Sequence, residues 1–397
     1  MSTTRREFLK SAGYGAAAVA ATTGAGRLFL GSASAATVSL GLVATDGYIT
    51  LPGRPDPQDV YIFGFKRVAQ NQLNASVGDL VSAYKSDAQH VAPILGFREG
   101  DDITIELTNA GLEVRPDLVD SHTIHWHGFR TPLAVFDGVP EVSIAVPELR
   151  KFDYFYRPHD PGTYMYHCHF EDVEHVQMGM TGVVFVRPRN HANWAYNDSS
   201  TAFDREFPIL LNEIWTTVHD NDENIQETIH TDYDPDYFTL NGRVYPQTIL
   251  PTNDPSLPNQ PVSSLIQCKP NDRVLLRLAN LGYQQHAMQL PGIDLKVVGE
   301  DATLLRSPSG DDLSYVTTTL YLGPGEARDV IFTAPPYEAG REGGTDSHGA
   351  YNRWWFRNRS ANKLVNGNVP NELGGMVTEV RVYAGSLPNQ TSAGETV

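Results

Sequence analysis

Two stretches of the chain follow one scheme: REGDDITIELTNAG at 98–111 and KPNDRVLLRLANLG at 269–282 each run from a charged turn through an alternating segment to Asn-x-Gly. Alternation at period two puts Ile103, Ile105 and Leu107 on one face, the pattern of a strand with one buried side. Each stretch is followed by a histidine segment, HTIHWHGF (122–129) in the first and HAMQLPGI (286–293) in the second. Each copy then closes on strand-rich sequence, GTYMYHCHF…GMTGVVFVRP or GAYNRWWFRN…GGMVTEVRVY. Aligning the copies sets His286 against His122, Gln289 against His125 and Pro291 against His127. A repeat of roughly 170 residues made of short alternating strands predicts an all-β chain of two tandem β-sandwiches.

The rest of the sequence fits that frame. The 397 residues include 34 Gly and 26 Pro, which supply turns for many short strands. No Gly-rich phosphate loop and no helix–strand alternation point to an α/β enzyme. The expected limits are a first domain at 36–190, a polar linker at 191–205, a second domain at 206–385 and a tail at 386–397.

Residues 1–35 read as an export signal. Arg5-Arg6 precedes Phe8, Leu9 and Lys10, an Ala/Gly-rich stretch follows, and Ala33-Ser34-Ala35 resembles a cleavage site. The arginine pair indicates the twin-arginine route, which delivers folded proteins to the periplasm or the exterior. The stretch is too weakly apolar to span a bilayer, and no later segment is apolar for long enough. Its removal takes the net charge from −17 to about −20. Such a balance disfavours nucleic acid and anionic membrane as partners and mildly favours cationic ones.

An exported chain with two cysteines ordinarily suggests one disulfide. The neighbours of Cys168 argue otherwise, and Cys268, in SSLIQCKPNDRV, reads as a small buried side chain. In an extended segment, residues two apart share a face and residues one or three apart do not. In HTIHWHGF this puts His125 and His127 on one face and His122 on the other. In YHCHF it puts His167 and His169 together, with Cys168 opposite. If the segments are adjacent strands, Cys168 and His122 form one set and the four other histidines a second. His175 and Met180, from the following loop, complete Cys-His₂ with an axial thioether, the donor set of a blue-copper site. Four imidazoles on one face suit further copper. A His-x-His pair alone is often a zinc site or a surface pair, and a Cys–His pair can be a nucleophile with its base. Neither accounts for all eight residues.

At these residues the chain resembles the multicopper oxidases and, more broadly, the cupredoxins. HTIHWHG is similar to the family's His-x-x-His-x-His-Gly segment, and HCHFEDVEHVQMGM to its His-Cys-His…His…Gly-Met segment. The resemblance implies two tandem cupredoxin-like Greek-key β-sandwich domains. It implies His122, Cys168, His175 and Met180 as type 1 copper ligands, His125 as a type 2 ligand, and His127, His167 and His169 as type 3 ligands. Asp137, in FDGVPE, matches a family acid that assists proton delivery during oxygen reduction. A small reducing substrate or a redox protein would supply single electrons, with oxygen as acceptor.

Two departures from the family pattern matter. The Cys168-to-His175 spacing is longer than in typical laccases and lies between theirs and that of copper nitrite reductases. The complete trinuclear cluster also takes eight histidines from two domains, which two-domain members draw from neighbouring subunits of a trimer. The second domain here offers His219, His230, His286 and His348, none in a His-x-His pair. The type 2/type 3 site is therefore expected to be incomplete or unusually completed. His286 falls where nitrite reductases carry a second-domain histidine, or is a core histidine with two hydrogen bonds. Three readings follow: an oxygen-reducing oxidase, a nitrite reductase, and a non-catalytic type 1 electron carrier.

Overall fold

A computed structural model describes residues 35–54, 59–367 and 372–395. Nearly all of the segment read as an export signal, residues 1–34, lies outside the described residues. In the first domain one sheet runs β2 (Asp59–Arg67), β1 (Thr37–Thr50), β4 (Asp102–Asn109), β6 (Arg150–Tyr156). The other runs β3 (Leu95–Arg98), β8 (Thr181–Arg187), β7 (Gly162–His167), β5 (His125–His127). Ile103, Ile105 and Leu107 of β4 are buried in a core shared with Trp126, Tyr164, Tyr166 and Val184 of the second sheet. That is the alternation expected from the sequence, with polar Thr104 and Glu106 turned outward and half-buried.

The second domain repeats the plan. One sheet runs β10 (Tyr237–Leu240), β9 (Arg205–Ile214), β12 (Arg273–Asn280), β18 (Ala327–Thr333), β14 (Leu295–Glu300), with β15 (Thr303–Leu304) and β16 (Tyr315–Thr317) beside β14. The other runs β11 (Ile266–Cys268), β21 (Val377–Tyr383), β20 (Gly349–Asn358), β13 (His286–Gln289), β17 (Thr319–Leu322), with β19 (Gly343–Asp346) on β20. The parallel pairing of β1 with β4 recurs as β9 with β12, and that of β3 with β8 as β11 with β21.

The two sandwiches are joined by a core of their own. Met165, Val183 and Phe185 pack against Leu210, Ala279, Leu281 and Ala327. Beside them Arg277, fully buried, stands between Glu206 at 2.7 Å and Asp329 at 3.5 Å, and over the Phe185 ring at 4.8 Å. Thr163 Oγ1 donates to Asp329 Oδ1 at 2.5 Å, tying β7 to the same carboxylate. A buried cation survives here because two acids flank it. The stretches read as linker and tail are packed. Tyr196 is buried with its hydroxyl on Asp329, and Glu395 pairs with Arg187 at 2.9 Å. Among the described residues no helix is long and apolar enough to cross a membrane.

Candidate metal centre

Cys168 lies one residue beyond the end of β7, and its N–H donates to the carbonyl of Met180 at 3.1 Å. The chain between them forms helix α1 (Asp172–Met178), ended by Gly179 at φ 119°, and Met180 N–H returns to the His175 carbonyl at 2.9 Å. This closed loop directs His175 inward. Its Nδ1 is 3.2 Å from Cys168 Sγ, and His122 Nδ1 is 3.8 Å from the same sulfur. Cys168 and His175 are 0% exposed and His122 is 1% exposed. Met180 is buried in the same core. Thr123 N–H donates to Cys168 Sγ at 3.4 Å.

The strand expected over the whole histidine segment is shorter than the sequence suggested. Only His125–His127 is strand, and His122 joins the fold through a single bridge to Val146. Cys168 and His169 likewise lie beyond β7, because the Cys168 main chain is taken up by Met180. The pleat therefore governs His125, His127 and His167. The turn after it governs Cys168 and His169.

His125 pairs with His167 across β5 and β7, and His169 comes alongside. Ring centroids lie 5.3 Å apart for His125–His167, 5.1 Å for His125–His169, 6.0 Å for His125–His127 and 5.4 Å for His167–His169. His127 is exposed, and the group opens to the surface. Two of the rings have their outer nitrogen fixed. His125 Nδ1–H donates to the Asp137 carbonyl and His167 Nδ1–H to the Cys168 carbonyl, each at 2.7 Å, leaving both Nε2 atoms as acceptors. Burial pushes His167 down to about 3 and lowers His125 and His127, so these rings are neutral at pH 7. Asp137 stands beside His125, with its carboxylate 3.9 Å from Nδ1 and near Thr131 Oγ1 at 3.5 Å.

Copper fits the closed pocket by its chemistry. One sulfur and two imidazole nitrogens converge in an apolar core, the softness and number of donors that copper takes in both oxidation states. The electrostatics agree. Burial works against a charged His175, yet the Cys168 sulfur and the Asp120 carboxylate raise it to about 10, so the pocket calls for positive charge. Sequence reasoning did not find Asp120 or Glu171. Asp120 Oδ2 is 3.5 Å from His175 Nε2, and Glu171 completes a group within 4.8 Å. Lone carboxylates in loops carry no periodic signal by which to find them.

The second domain's histidines do not gather. His219 is buried, with Nδ1 on the Tyr61 carbonyl at 2.6 Å. His230 and His348 are exposed. His286 is 0% exposed and lies 2.6 Å from Glu213, as expected of a core histidine. Cys268 is buried and free, and no disulfide joins it to Cys168.

Fold and pocket together define a two-domain cupredoxin-like protein with a buried cysteine–histidine donor set. Residues 68–191 and 205–341 match sequence models described as multicopper oxidase, and the chain belongs to the multicopper oxidase family. Laccase-7 of Oryza sativa subsp. japonica is 27% identical over 243 residues, covering 60% of this chain and 38% of that protein. The chain thus spans well under half the length of the curated laccases it matches. The blue copper oxidase of Nitrosomonas europaea has a similar fold, with a TM-score of 0.64 at 24% identity over 87% of this chain and 86% of that one. The multicopper oxidase mgLAC is similar at a TM-score of 0.64 and 23% identity, covering 90% and 89%.

Proposed function

We propose that the chain is an exported copper oxidase that takes single electrons at the His122–Cys168–His175–Met180 centre and uses them to reduce oxygen at the histidine cage. One observation carries the reading: Cys168, facing the closed pocket, is flanked in sequence by His167 and His169, which face the cage. Copper held by these residues would supply one-electron chemistry at the pocket and oxygen chemistry at the cage. The chain's own part is to keep water from the sulfur and to hold His125 and His167 in one tautomer. It also sets the Asp137 side chain beside His125, where it would relay protons from solvent. A small reducing substrate or a redox protein supplies the electrons near His175, where Asp120 and Glu171 make the edge acidic. A homotrimer would bring a neighbour's second domain over the open cage, and residues 1–35 would direct the chain through the twin-arginine route.

A second reading, an electron carrier without oxygen chemistry, is favoured by one feature. The second-domain positions equivalent to His125, His167 and His169 are Gln289, Arg357 and Arg359, which cannot complete a histidine cluster. Nitrite reduction loses its support with His286 turned into the core.

Copper content, colour and oxygen uptake test these readings together. The oxidase is expected to be blue, to hold more than one copper per chain and to consume oxygen with a phenol or reduced dye. One copper with colour and no oxygen uptake makes it the carrier. Nitrite-dependent oxidation of the dye would reinstate the reductase, and colourless copper-loaded protein would end all three. Exchanging Arg5 and Arg6 for lysines should hold the unprocessed chain in the cytoplasm if the export reading is right.

A further inference from the structure

The pocket around His122 and Cys168 has a counterpart in the second domain, matched bond for bond. Cys168 N–H donates to the Met180 carbonyl, and Asn358 N–H to the Met376 carbonyl at 2.9 Å. Met180 N–H donates to the His175 carbonyl, and Met376 N–H to the Lys363 carbonyl at 2.9 Å. His125 faces His167 across β5 and β7, and Gln289 faces Arg357 across β13 and β20. Counting back three residues sets His286 on His122. Asp46 pairs with Phe63, whose ring packs edge-on to His175 at 5.8 Å. Glu213 pairs with Phe238, and the Lys363 ammonium lies over that ring at 5.0 Å. The positions of His122, Cys168, His175 and Met180 are thus held by His286, Asn358, Lys363 and Met376.

The side chains still converge on one point. Asn358 Nδ2 is 3.3 Å from Met376 Sδ, 3.7 Å from Met288 Sδ and 3.3 Å from His286 Nδ1. Lys363 Nζ donates to His286 Nδ1 at 3.3 Å and to the Gln285 carbonyl at 2.9 Å. The far nitrogen of His286 lies 2.6 Å from Glu213, and neither side chain is exposed at all. A carboxylate this deep needs a nearby positive charge. Lys363, only 6% exposed, provides one on the inner side of His286, where the first domain gathers the His122, Cys168 and His175 donors.

We propose that the second domain keeps the full frame of a type 1 copper site in which the ammonium of Lys363 holds the metal's position, so that this domain carries its own cation and takes no copper. The inference rests on the reading of the Cys168 pocket as a type 1 centre. With the ammonium removed, an imidazole nitrogen and two thioethers remain, a soft set suited to a monovalent cation such as Cu⁺ or Ag⁺.

Two variants of the full chain test this. The triple change Cys168→Ser, Asn358→Cys, Lys363→His removes the first thiolate and restores a cysteine and a histidine in the second domain. It should regain intense blue absorption with copper, while Cys168→Ser alone stays colourless. A folded triple variant that stays colourless overturns the proposal. Should it not fold, Lys363→Ala is titrated with Ag⁺ instead. It should bind one ion more than the unaltered chain, with a rise in Tm or with folding that depends on silver. Equal binding by both chains, or no folding with or without silver, overturns it. The colour of the unaltered protein is a separate result. If that protein is colourless and the triple variant blue, the reading of the first domain fails while the frame in the second stands.

Discussion

The first domain presents two sets of donors on either side of one cysteine, and they differ in closure. The Cys168 pocket is sealed: all its donors come from one chain, and a loop of two main-chain hydrogen bonds sets their positions. The histidine cage is open, with His127 exposed and four imidazoles from this chain. A sealed pocket made by a single loop can be complete by itself. An open face of four imidazoles leaves room for further donors, so the proposed assembly would bear on the cage and not on the pocket.

The sharpest way to break that comparison is to remove one member from each side. Cys168→Ser should abolish the blue colour altogether, since the thiolate is its source, while copper bound at the cage remains measurable by metal analysis. His167→Ala should leave the colour in place and cut oxygen turnover by at least about a hundredfold, the upper end seen when mere outer partners of metal ligands are removed. Both variants losing colour together would mean that the two sets are one site.

How much of this was legible in the sequence depended on whether a feature left a periodic trace. The alternation of Ile103, Ile105 and Leu107 gave the strand and its buried side, and the repeat at 269–282 gave the second sandwich. Spacing likewise separated His125, His127 and His167 from Cys168. Spacing did not show that β5 spans three residues only, or that Cys168 follows a strand instead of lying in one, because main-chain partners across the fold decide where a strand stops. Asp120, Glu213 and Lys363 were invisible for another reason. Each acts through a neighbour distant in sequence, and a single charged residue reads as surface whether it lies in a loop, as Asp120 does, or in a strand, as Glu213 of β9 does. The aligned repeat did hold the second pocket's key, since His286 already stood against His122.

The cage depends on a feature smaller than its ligands. Gly138 follows Asp137 at φ 83°, and a Cβ there would collide with the main chain of Ile124 and His125. Gly138→Ala should cost about 1–3 kcal/mol from the left-handed backbone alone, read as a lower Tm. Because the same turn presents the Asp137 carbonyl to His125, oxygen turnover should fall as well. The blue colour should not change. If it does, the two sets are coupled more tightly than their separate supports suggest.

The smallest effect is one of pH, and it distinguishes pocket from cage in the copper-free protein. His175 is raised from 6.5 to about 10 in the fold, so its contribution to stability is full below pH 6.5 and is lost as pH rises towards 10. His167 is lowered to about 3, so the unfolded chain binds its proton first and stability falls as pH drops from 6.5 towards 3. His90 and His219, each pushed down to about 4 by burial, steepen the same acid limb, and so does His122 of the pocket, which burial lowers well below its ordinary value. The Tm of the metal-free chain should therefore peak near pH 6.5 and decline on both sides. Asp120→Asn, which removes part of what raises His175, should flatten the alkaline limb and leave the acid one alone. His167→Gln should do the reverse, with His90 and His219 keeping some of the acid slope. A Tm profile in which either substitution alters both limbs would show that pocket and cage titrate as a single unit across Cys168.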